Sequence, residues 1–276
     1  MRTAICTIIK NEHRFLKEWI DWHLGLGFDA IYLFEDKGSD SHESIVAEYS
    51  NVVLRRYEDD DKVKLILRHQ ENSQKQTDLY NWFGDTYCNV FDWVAFIDID
   101  EFITFADNYN LERLCKEFSK HSAVLLNWRM MGASGHIKRP SCGVVEAYTQ
   151  EEPPVEMDKM YFWKSFCNLS KWRGIQKVHD AVGAVNTNHN EDSSEWCYDK
   201  VWINHYFTKS WEDWCYRIFE RGGTLKAHRF LSDFFDNNPS MEHLRKELMS
   251  SVAHLKPKGT YWLDKKKGLI CGGNIN

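Results

Sequence analysis

The sequence has no apolar run that approaches the ~20 residues needed to span a bilayer, so it predicts no transmembrane helix. The N-terminal apolar stretch, residues 3–9, is too short for a signal peptide, and charged residues follow it directly. We therefore expect a cytoplasmic protein, or one bound peripherally to the inner face of the membrane.

Paired cysteines and a basic excess are also missing. None of the eight cysteines forms a C-x-x-C pair, and Cys6 and Cys88 lie in apolar runs. This pattern favours reduced, packed thiols over a disulfide framework or a zinc site. The formal net charge of −6 argues against a broad nucleic-acid-binding surface, so we expect no nucleic-acid partner.

The chain does contain enough apolar sequence for a folded core. Its 276 residues include 43% hydrophobic and 28% charged residues, which is ordinary for a globular protein. Twelve tryptophans are many for this length. Core and surface packing explains them by default, although an indole face also suits contact with a sugar ring.

Apolar strands and amphipathic helices alternate along the first half of the chain. The predicted elements are a strand at 3–9, a helix ending near 25–27, a strand at 30–34, a helix at 41–49 and a strand at 52–57. A loop at 58–70, a helix at 73–88 and a buried strand at 93–97 follow. This order predicts an α/β fold whose doubly wound, mostly parallel central sheet carries helices on both faces. Such sheets bind ligands at the carboxyl ends of their strands.

Two acids follow the strand at 93–97 directly. If the chain stays extended there, Asp98 and Asp100 share one face, because alternate residues of a strand point the same way. Adjacent carboxylates at the end of a buried strand repel each other unless a cation neutralises them, and Mg²⁺ or Mn²⁺ with oxygen ligands is the expected cation. Two solvated acids where a strand meets a loop are the alternative.

Five segments together resemble a known family. They read TIIKNE (7–12), FEDKGSD (34–40), WVAFIDIDEF (93–102), WRMMGASGH (128–136) and INHYFTKS (203–210). In this order they resemble glycosyltransferases of the GT-A fold, with family 2-like enzymes and the family 92 group as the nearest matches. The resemblance spans residues 3 to about 222.

The resemblance implies a nucleotide-sugar site at the ends of the first two strands. Thr7, Asn11 and Glu12 would border the nucleotide, and Asp36 would contact the uracil or the ribose. Asn11 and Glu12 could instead cap the helix that follows them. Asp36 could equally serve its own turn.

The resemblance also implies a metal and diphosphate site. Asp98 and Asp100 would hold Mn²⁺ or Mg²⁺ and the donor diphosphate, with His205 as a third ligand and Lys209 on the phosphates. Imidazole is a better ligand for Mn²⁺ than for Mg²⁺. A lone histidine on a strand is more often structural, so a structural role for His205 is the alternative.

The catalytic base is less well marked. Asp180 is our first choice and His179 the second, followed by the other titratable groups His136, Glu101 and Glu146. Each could equally make an ordinary polar contact. The acceptor would contact Trp128, Ser134 and His136.

In the second half, a strand is expected at 123–127 and helices at 210–221 and 240–254, and no repeat or linker divides the chain. We expect one domain over 1–276, with a donor half at 1–122, an acceptor half at 123–222 and a C-terminal helical segment at 223–276.

By resemblance, the expected reaction is inverting transfer of galactose or another hexose from a UDP-sugar to an oligosaccharide or lipid-linked glycan. Surface polysaccharide or lipopolysaccharide synthesis would be the pathway. A nucleotidyltransferase also uses paired acids and a metal, but it would usually carry a glycine-rich basic loop after the first strand. A glycan-binding protein on a transferase fold is the non-enzymatic alternative.

Overall fold

The computed structural model describes residues 1–69, 72–152, 163–189, 198–220 and 231–254. The strands are β1 (Thr3–Ile9), β2 (Ala30–Glu35), β3 (Val52–Arg56), β4 (Trp93–Phe96), β5 (Glu101–Phe105), β6 (Ala123–Met130), β7 (Trp163–Asn168), β8 (Ile175–Lys177), β9 (Asp180–Ala181), β10 (Ala184–Asn186) and β11 (Val201–His205). The helices are α1 (His13–Gly25), α2 (Glu43–Val46), α3 (Asp61–Ile66), α4 (Asn72–Tyr87), α5 (Leu111–Glu117), α6 (Val144–Ala147), α7 (Trp211–Phe219), α8 (Asp233–Asp236) and α9 (Arg245–Ser251).

The chain divides into two compact units. The first unit comprises Met1–Arg129 and Tyr161–His205, and the second comprises Met130–Met160 and Tyr206–Asn276. All eleven strands of the described residues belong to the first unit, apart from the last residue of β6. The functional division into donor, acceptor and C-terminal segments stays a prediction.

A large mixed sheet organises the first unit. Its strand order is β3-β2-β1-β4-β7-β6-β11-β5, and β10 pairs with β6. The neighbours β3, β2, β1 and β4 are parallel, whereas β7 runs antiparallel to both β4 and β6. The predicted α/β class is therefore confirmed, with a central sheet that is parallel from β3 through β2 and β1 to β4.

Helices cover both faces of this sheet because its central strands are apolar on both sides. Cys6 of β1 and Phe96 of β4 pack in one core cluster with Phe83 of α4. On the opposite face, Phe166 of β7 stacks on Trp93 at a centroid distance of 4.9 Å. Phe166 also contacts Phe28, which follows α1, so α1 lies over that second face.

Strand β5 lies at the edge of the sheet, and helix α1 satisfies its outer backbone groups. The indole N–H groups of Trp19 and Trp22 donate to the carbonyls of Glu101 and Ile103, each at 2.8 Å. The backbone N–H of Ile103 donates to Nε2 of His23 at 3.3 Å. On its inner side β5 pairs antiparallel with β11. The start of β5 is therefore fixed from both sides.

The predicted loop at 58–70 is wrong, because residues 61–66 of this stretch form α3 (position 70 lies outside the described residues). The Asp60 side chain caps this helix by accepting from the backbone N–H groups of Lys62 and Val63. Val63 and Ile66 are the buried residues of this helix. The sequence prediction missed the helix because charged residues lie next to these few apolar positions.

Smaller differences concern the bounds of elements. The predicted helix at 41–49 shrinks to α2, and the stretch predicted as a helix at 240–254 contains a 3-10 turn at Pro239–Leu244 followed by α9. Of the predicted C-terminal segment, residues 223–230 and 255–276 lie outside the described residues. None of the helices in the described ranges is long and apolar enough to cross a membrane.

The cysteines of the described ranges are all free thiols. Cys6 and Cys167 are fully buried, and burial raises the pKa of each thiol. Cys88 is half-buried and packs against the core cluster that contains Cys6. Cys197 and Cys271 lie outside the described residues.

His23 makes the contact between α1 and β5 sensitive to pH. The side chain is fully buried, its Nδ1 lies 2.8 Å from the Trp19 carbonyl oxygen, and its Nε2 accepts from Ile103, so the ring is neutral. Burial lowers the pKa of His23 from 6.5 to about 3. The unfolded state therefore takes up a proton below pH 6.5 that the folded state rejects, and stability falls as the pH drops from 6.5 towards 3.

We expect the free energy of unfolding of the wild type to fall by about 2 kcal/mol more between pH 7 and pH 5 than that of His23→Gln. Glutamine can keep both hydrogen bonds but does not titrate. Urea unfolding at the two pH values measures the difference. The control is His254→Gln, which changes an exposed histidine and should keep the wild-type pH dependence. Equal pH dependence in His23→Gln and the wild type would contradict the neutral, buried imidazole.

Candidate functional site

The segment after β4 forms a tight turn instead of continuing as an extended strand. The backbone N–H of Glu101 donates to the carbonyl of Asp98 at 3.1 Å. In return, the Asp98 N–H donates to the Glu101 carboxylate at 3.0 Å. The extended geometry expected for Asp98 and Asp100 is therefore wrong, because the Glu101 side chain closes the turn by satisfying the Asp98 N–H.

The strand register brings a histidine from far along the chain to this turn. In the antiparallel pair β5–β11, His205 lies directly opposite Glu101. Side chains of paired residues share a face of the sheet. Nε2 of His205 lies 3.6 Å from Oδ1 of Asp100, and the side chains of these two residues are 7% and 13% exposed.

Asp100, Glu101 and His205 form the group of potential metal ligands that the described residues contain. One ligand atom of each lies within 4.8 Å of the other two. Oε1 of Glu101 is buried and accepts no hydrogen bond from any described residue. Two carboxylate oxygens and an imidazole nitrogen suit Mn²⁺, and suit Mg²⁺ less well. These residues therefore fit a divalent ion.

Asp98 is held by protein donors on both oxygens. Gln76 of α4 donates to its Oδ1 at 2.7 Å, and Lys164 of β7 donates to its Oδ2 at 2.8 Å. The side chain of Asp98 is still 35% exposed. Its carboxylate is thus oriented in advance while remaining open to solvent.

Lys164 also lies near Glu101. Its Nζ is 3.6 Å from Oε1 of Glu101, and both side chains are fully buried. Burial raises the pKa of Glu101 well above its usual range; the Lys164 ammonium opposes that rise, and Asp98 and Asp100 add to it. Burial by itself would lower the pKa of Lys164, but the carboxylates of Asp98 and Glu101 outweigh burial and raise it. Lys164 therefore remains an ammonium.

Trp128, predicted to bind the acceptor, packs against the metal-ligand group. Its ring centroid lies 4.2 Å from that of His205 and 5.2 Å from that of His179, which meets it edge-on. Trp128 is only 7% exposed. This environment restrains the imidazole of His205.

The two residues proposed first as catalytic base lie at the short β8–β9 hairpin. Nδ1 of His179 lies 3.0 Å from the Trp163 carbonyl oxygen, and Asp180 accepts from the Trp163 indole at 2.9 Å. Burial, with Lys164 nearby, lowers the pKa of His179 to about 3. Such a weakly basic imidazole is poorly matched to proton abstraction at neutral pH.

The loop after β1 is ordered by contacts with the loop after β2. Asn11 has a left-handed backbone (φ 53°), and its Oδ1 accepts from the Asp40 N–H at 2.7 Å. Glu12 occupies the N-cap position of α1 without a side-chain capping bond, and its N–H donates to Nε2 of His42 at 2.9 Å. Thr7 is fully buried on β1. Asn11 thus braces the neighbouring loop, and the capping alternative does not describe the Glu12 side chain.

Asp36, at the end of β2, forms a buried ion pair. Nζ of Lys75 donates to both carboxylate oxygens, at 2.8 and 2.7 Å, and the Lys37 N–H donates to Oδ1 at 2.8 Å. The two side chains of this pair are 11% and 9% exposed. Asp36 therefore stabilises its own turn by accepting the hydrogen bond from the Lys37 N–H, and its ion pair with Lys75 connects this turn to α4.

Lys209, Ser134 and His136 belong to the second unit. Lys209 has a left-handed backbone (φ 55°), and its buried ammonium donates to the Tyr206 carbonyl at 3.0 Å. Ser134 accepts from the Gln150 N–H at 3.0 Å, and Nε2 of His136 lies 3.1 Å from the Ala147 carbonyl oxygen. Their roles towards phosphate and acceptor stay predictions.

Sequence reasoning missed Lys164, Gln76 and Lys75. The available signal for Lys164 was a single charged residue in the otherwise uncharged strand WKSFCN. Lys75 and Gln76 stand next to each other near the start of α4, where a polar pair looks like ordinary solvent-exposed sequence. Their partners, Asp36 and Asp98, are set by the tertiary fold.

Comparisons with known proteins agree with the motifs. Relatives named glycosyltransferase family 92 proteins from Oryza sativa subsp. japonica and Ricinus communis are 24% and 25% identical over 248 and 234 residues. The alignments cover 84% and 80% of this chain but only 37% and 38% of the relatives, so the chain spans less than two fifths of their length.

Solved structures resemble the chain only in part. Glucosyl-3-phosphoglycerate synthase from Mycobacterium tuberculosis, solved with Mn²⁺, UDP and glucosyl-3-phosphoglycerate, has a TM-score of 0.30 and 16% identity, covering 46% of this chain and 44% of that one. Mouse xyloside xylosyltransferase 1 has a TM-score of 0.30 and 9% identity, covering 62% and 67%. The model of glycosyltransferase family 92 matches residues 3–171, more than half of the chain. The chain therefore belongs to glycosyltransferase family 92.

Proposed function

We propose that this chain is a metal-dependent glycosyltransferase that moves a hexose from a UDP-sugar to a glycan acceptor. The observation that supports this most is the convergence of Asp100, Glu101 and His205 at the carboxyl end of β4, in a member of family 92. Parallel α/β sheets bind ligands at that edge.

Asp100 and His205, with Glu101 beside them, would hold a divalent ion, and Asp98 is proposed to take part with its oriented carboxylate. Mn²⁺ or Mg²⁺ bound there would neutralise charge on the departing nucleoside diphosphate. Burial of Glu101 and His205 keeps the surroundings poor in water, which strengthens such electrostatic stabilisation.

The nucleotide would lie along the loops after β1 and β2, bordered by Thr7, Asn11 and Glu12. Asp36 is proposed to accept a hydrogen bond from the uracil or the ribose. Lys75 neutralises and orients this carboxylate beforehand, so little ordering is needed on binding.

For an inverting transfer, Asp180 is the better choice of base than His179. A carboxylate can take the acceptor proton at neutral pH, whereas burial makes His179 weakly basic. We further propose that the sugar is galactose and that the acceptor is a surface polysaccharide or lipopolysaccharide precursor. The reaction would take place at the inner face of the membrane. Lys209 is proposed as a phosphate contact.

Asp100→Asn should abolish metal-dependent UDP binding while the fold survives, because the change keeps the side-chain shape and removes the charge that a hard cation requires. Calorimetric titration with UDP, with and without Mn²⁺, measures the effect. Asp107→Asn removes an exposed acid from a turn and is the matched control. UDP affinity in Asp100→Asn that responds to Mn²⁺ as in the wild type would refute the role of Asp100.

A panel of nucleotide sugars, incubated without acceptor, should show metal-dependent release of nucleoside diphosphate from the true donor. His205→Ala should lower that turnover by at least about tenfold while changing donor affinity less, since a ligand to the ion acts mainly on the leaving group.

His243→Ala, in an exposed position of the second unit, is the control and should turn over normally. Wild-type turnover in His205→Ala would rule out the ligand role. Formation of a nucleoside triphosphate and a sugar 1-phosphate when pyrophosphate is added to the nucleotide sugar would instead identify a nucleotidyltransferase. Binding without turnover would identify a glycan- or nucleotide-binding protein.

A further inference from the structure

Lys164 is an unusual residue to find beside a metal site. It lies on β7 with its side chain fully buried, and its ammonium contacts Asp98 at 2.8 Å and Glu101 at 3.6 Å. A buried ammonium loses much of its hydration and is retained only when carboxylates repay that loss. Such a charge close to the ligands must affect how cations bind.

The three carboxylates and the ammonium of this site have a net negative charge. When ionised, Asp98, Asp100 and Glu101 carry −3, and Lys164 brings the sum to −2. One divalent ion neutralises that sum. Without the ammonium, the same ion would meet an additional uncompensated carboxylate and would bind more tightly by Coulomb attraction.

The position of the ammonium is as informative as its charge. Lys164 contacts the two carboxylates on either side of Asp100, and its Nζ lies 6.0 Å from the centroid of the Trp128 ring. Trp128 in turn packs on His205. The side chains of Asp100 and His205 face each other. Lys164 therefore restrains the carboxylates of Asp98 and Glu101 beside this pair.

We propose that Lys164 is a positioning residue that balances the charge of the metal site. Its ammonium restrains Asp98 and Glu101, weakens the binding of a bare divalent ion and strengthens the binding of the ion together with a nucleoside diphosphate. This inference rests on the proposed function of the same site.

The two effects on binding have opposite signs because the divalent ion is positive and the nucleoside diphosphate is negative. A positive side chain repels a bare cation and attracts the anionic diphosphate that accompanies it. Loss of a merely structural residue would weaken both kinds of binding. The pair of affinities therefore separates charge balance from structural support.

The test compares Lys164→Met and Lys164→Arg with the wild type. Titration with Mn²⁺ alone should show binding about tenfold tighter in Lys164→Met, and titration with UDP at saturating Mn²⁺ should show binding about tenfold weaker. Lys164→Arg keeps the charge and should restore both affinities to near the wild-type values. Lys171→Met, which removes an exposed lysine, should change neither.

If Lys164→Met destabilises the fold, thermal melting with Mn²⁺ still tests the inference. Mn²⁺ should raise the melting temperature of Lys164→Met more than that of the wild type, because the tighter ligand stabilises the folded state more. A Lys164→Met chain that stays unfolded in saturating Mn²⁺ would overturn the inference, since the ion should then replace the missing charge.

Weaker binding of both Mn²⁺ and UDP in Lys164→Met would also overturn the inference, while leaving the proposed metal site intact. If the wild type itself bound no Mn²⁺, the proposed function would fail first. The two failures are therefore distinguishable.

Discussion

The candidate site depends on how the edge strand β5 is held. Trp19, Trp22 and His23 of α1 bind its outer backbone groups, and β11 pairs with it on the inner side. This pairing places His205 opposite Glu101, next to the turn that carries Asp100. A slip of one residue in the register would turn His205 to the other face of the sheet.

The same arrangement concentrates negative charge in a place with little water. Glu101 is fully buried, and three acids lie within four consecutive residues of the chain. Buried carboxylates are costly unless a cation accompanies them. Lys164 of β7 supplies one positive charge to these carboxylates. The negative charge that it leaves uncompensated would suit a divalent ion. Stability of the fold and affinity for the proposed ion would therefore depend on the same few side chains.

The sequence predicted the parts of the fold that depend on local pattern. Strands β1, β2 and β4 are largely apolar runs between turn residues, and their order with β3 is enough to predict a parallel α/β sheet. The position of Asp98 and Asp100 after β4 was also predicted. Their conformation was not, because the turn is closed by the Glu101 side chain, and side-chain capping of this kind is not visible in an apolar pattern.

Contacts between distant parts of the chain were beyond the sequence pattern. His205 was proposed as a ligand only through family resemblance, and its approach to Asp100 depends on the β5–β11 register. Lys164 and Gln76 reach Asp98 from β7 and α4, across separations of 66 and 22 residues. Such partners become predictable only when the neighbouring strands and helices are known.

The most direct test of the metal site is pulsed electron paramagnetic resonance of Mn²⁺ bound to the chain in the presence of UDP, with ¹⁵N-labelled histidine. Direct coordination by His205 predicts a ¹⁵N hyperfine coupling to the manganese that disappears in His205→Gln. A bound Mn²⁺ without histidine coupling, or with a coupling that survives that substitution, would contradict the account.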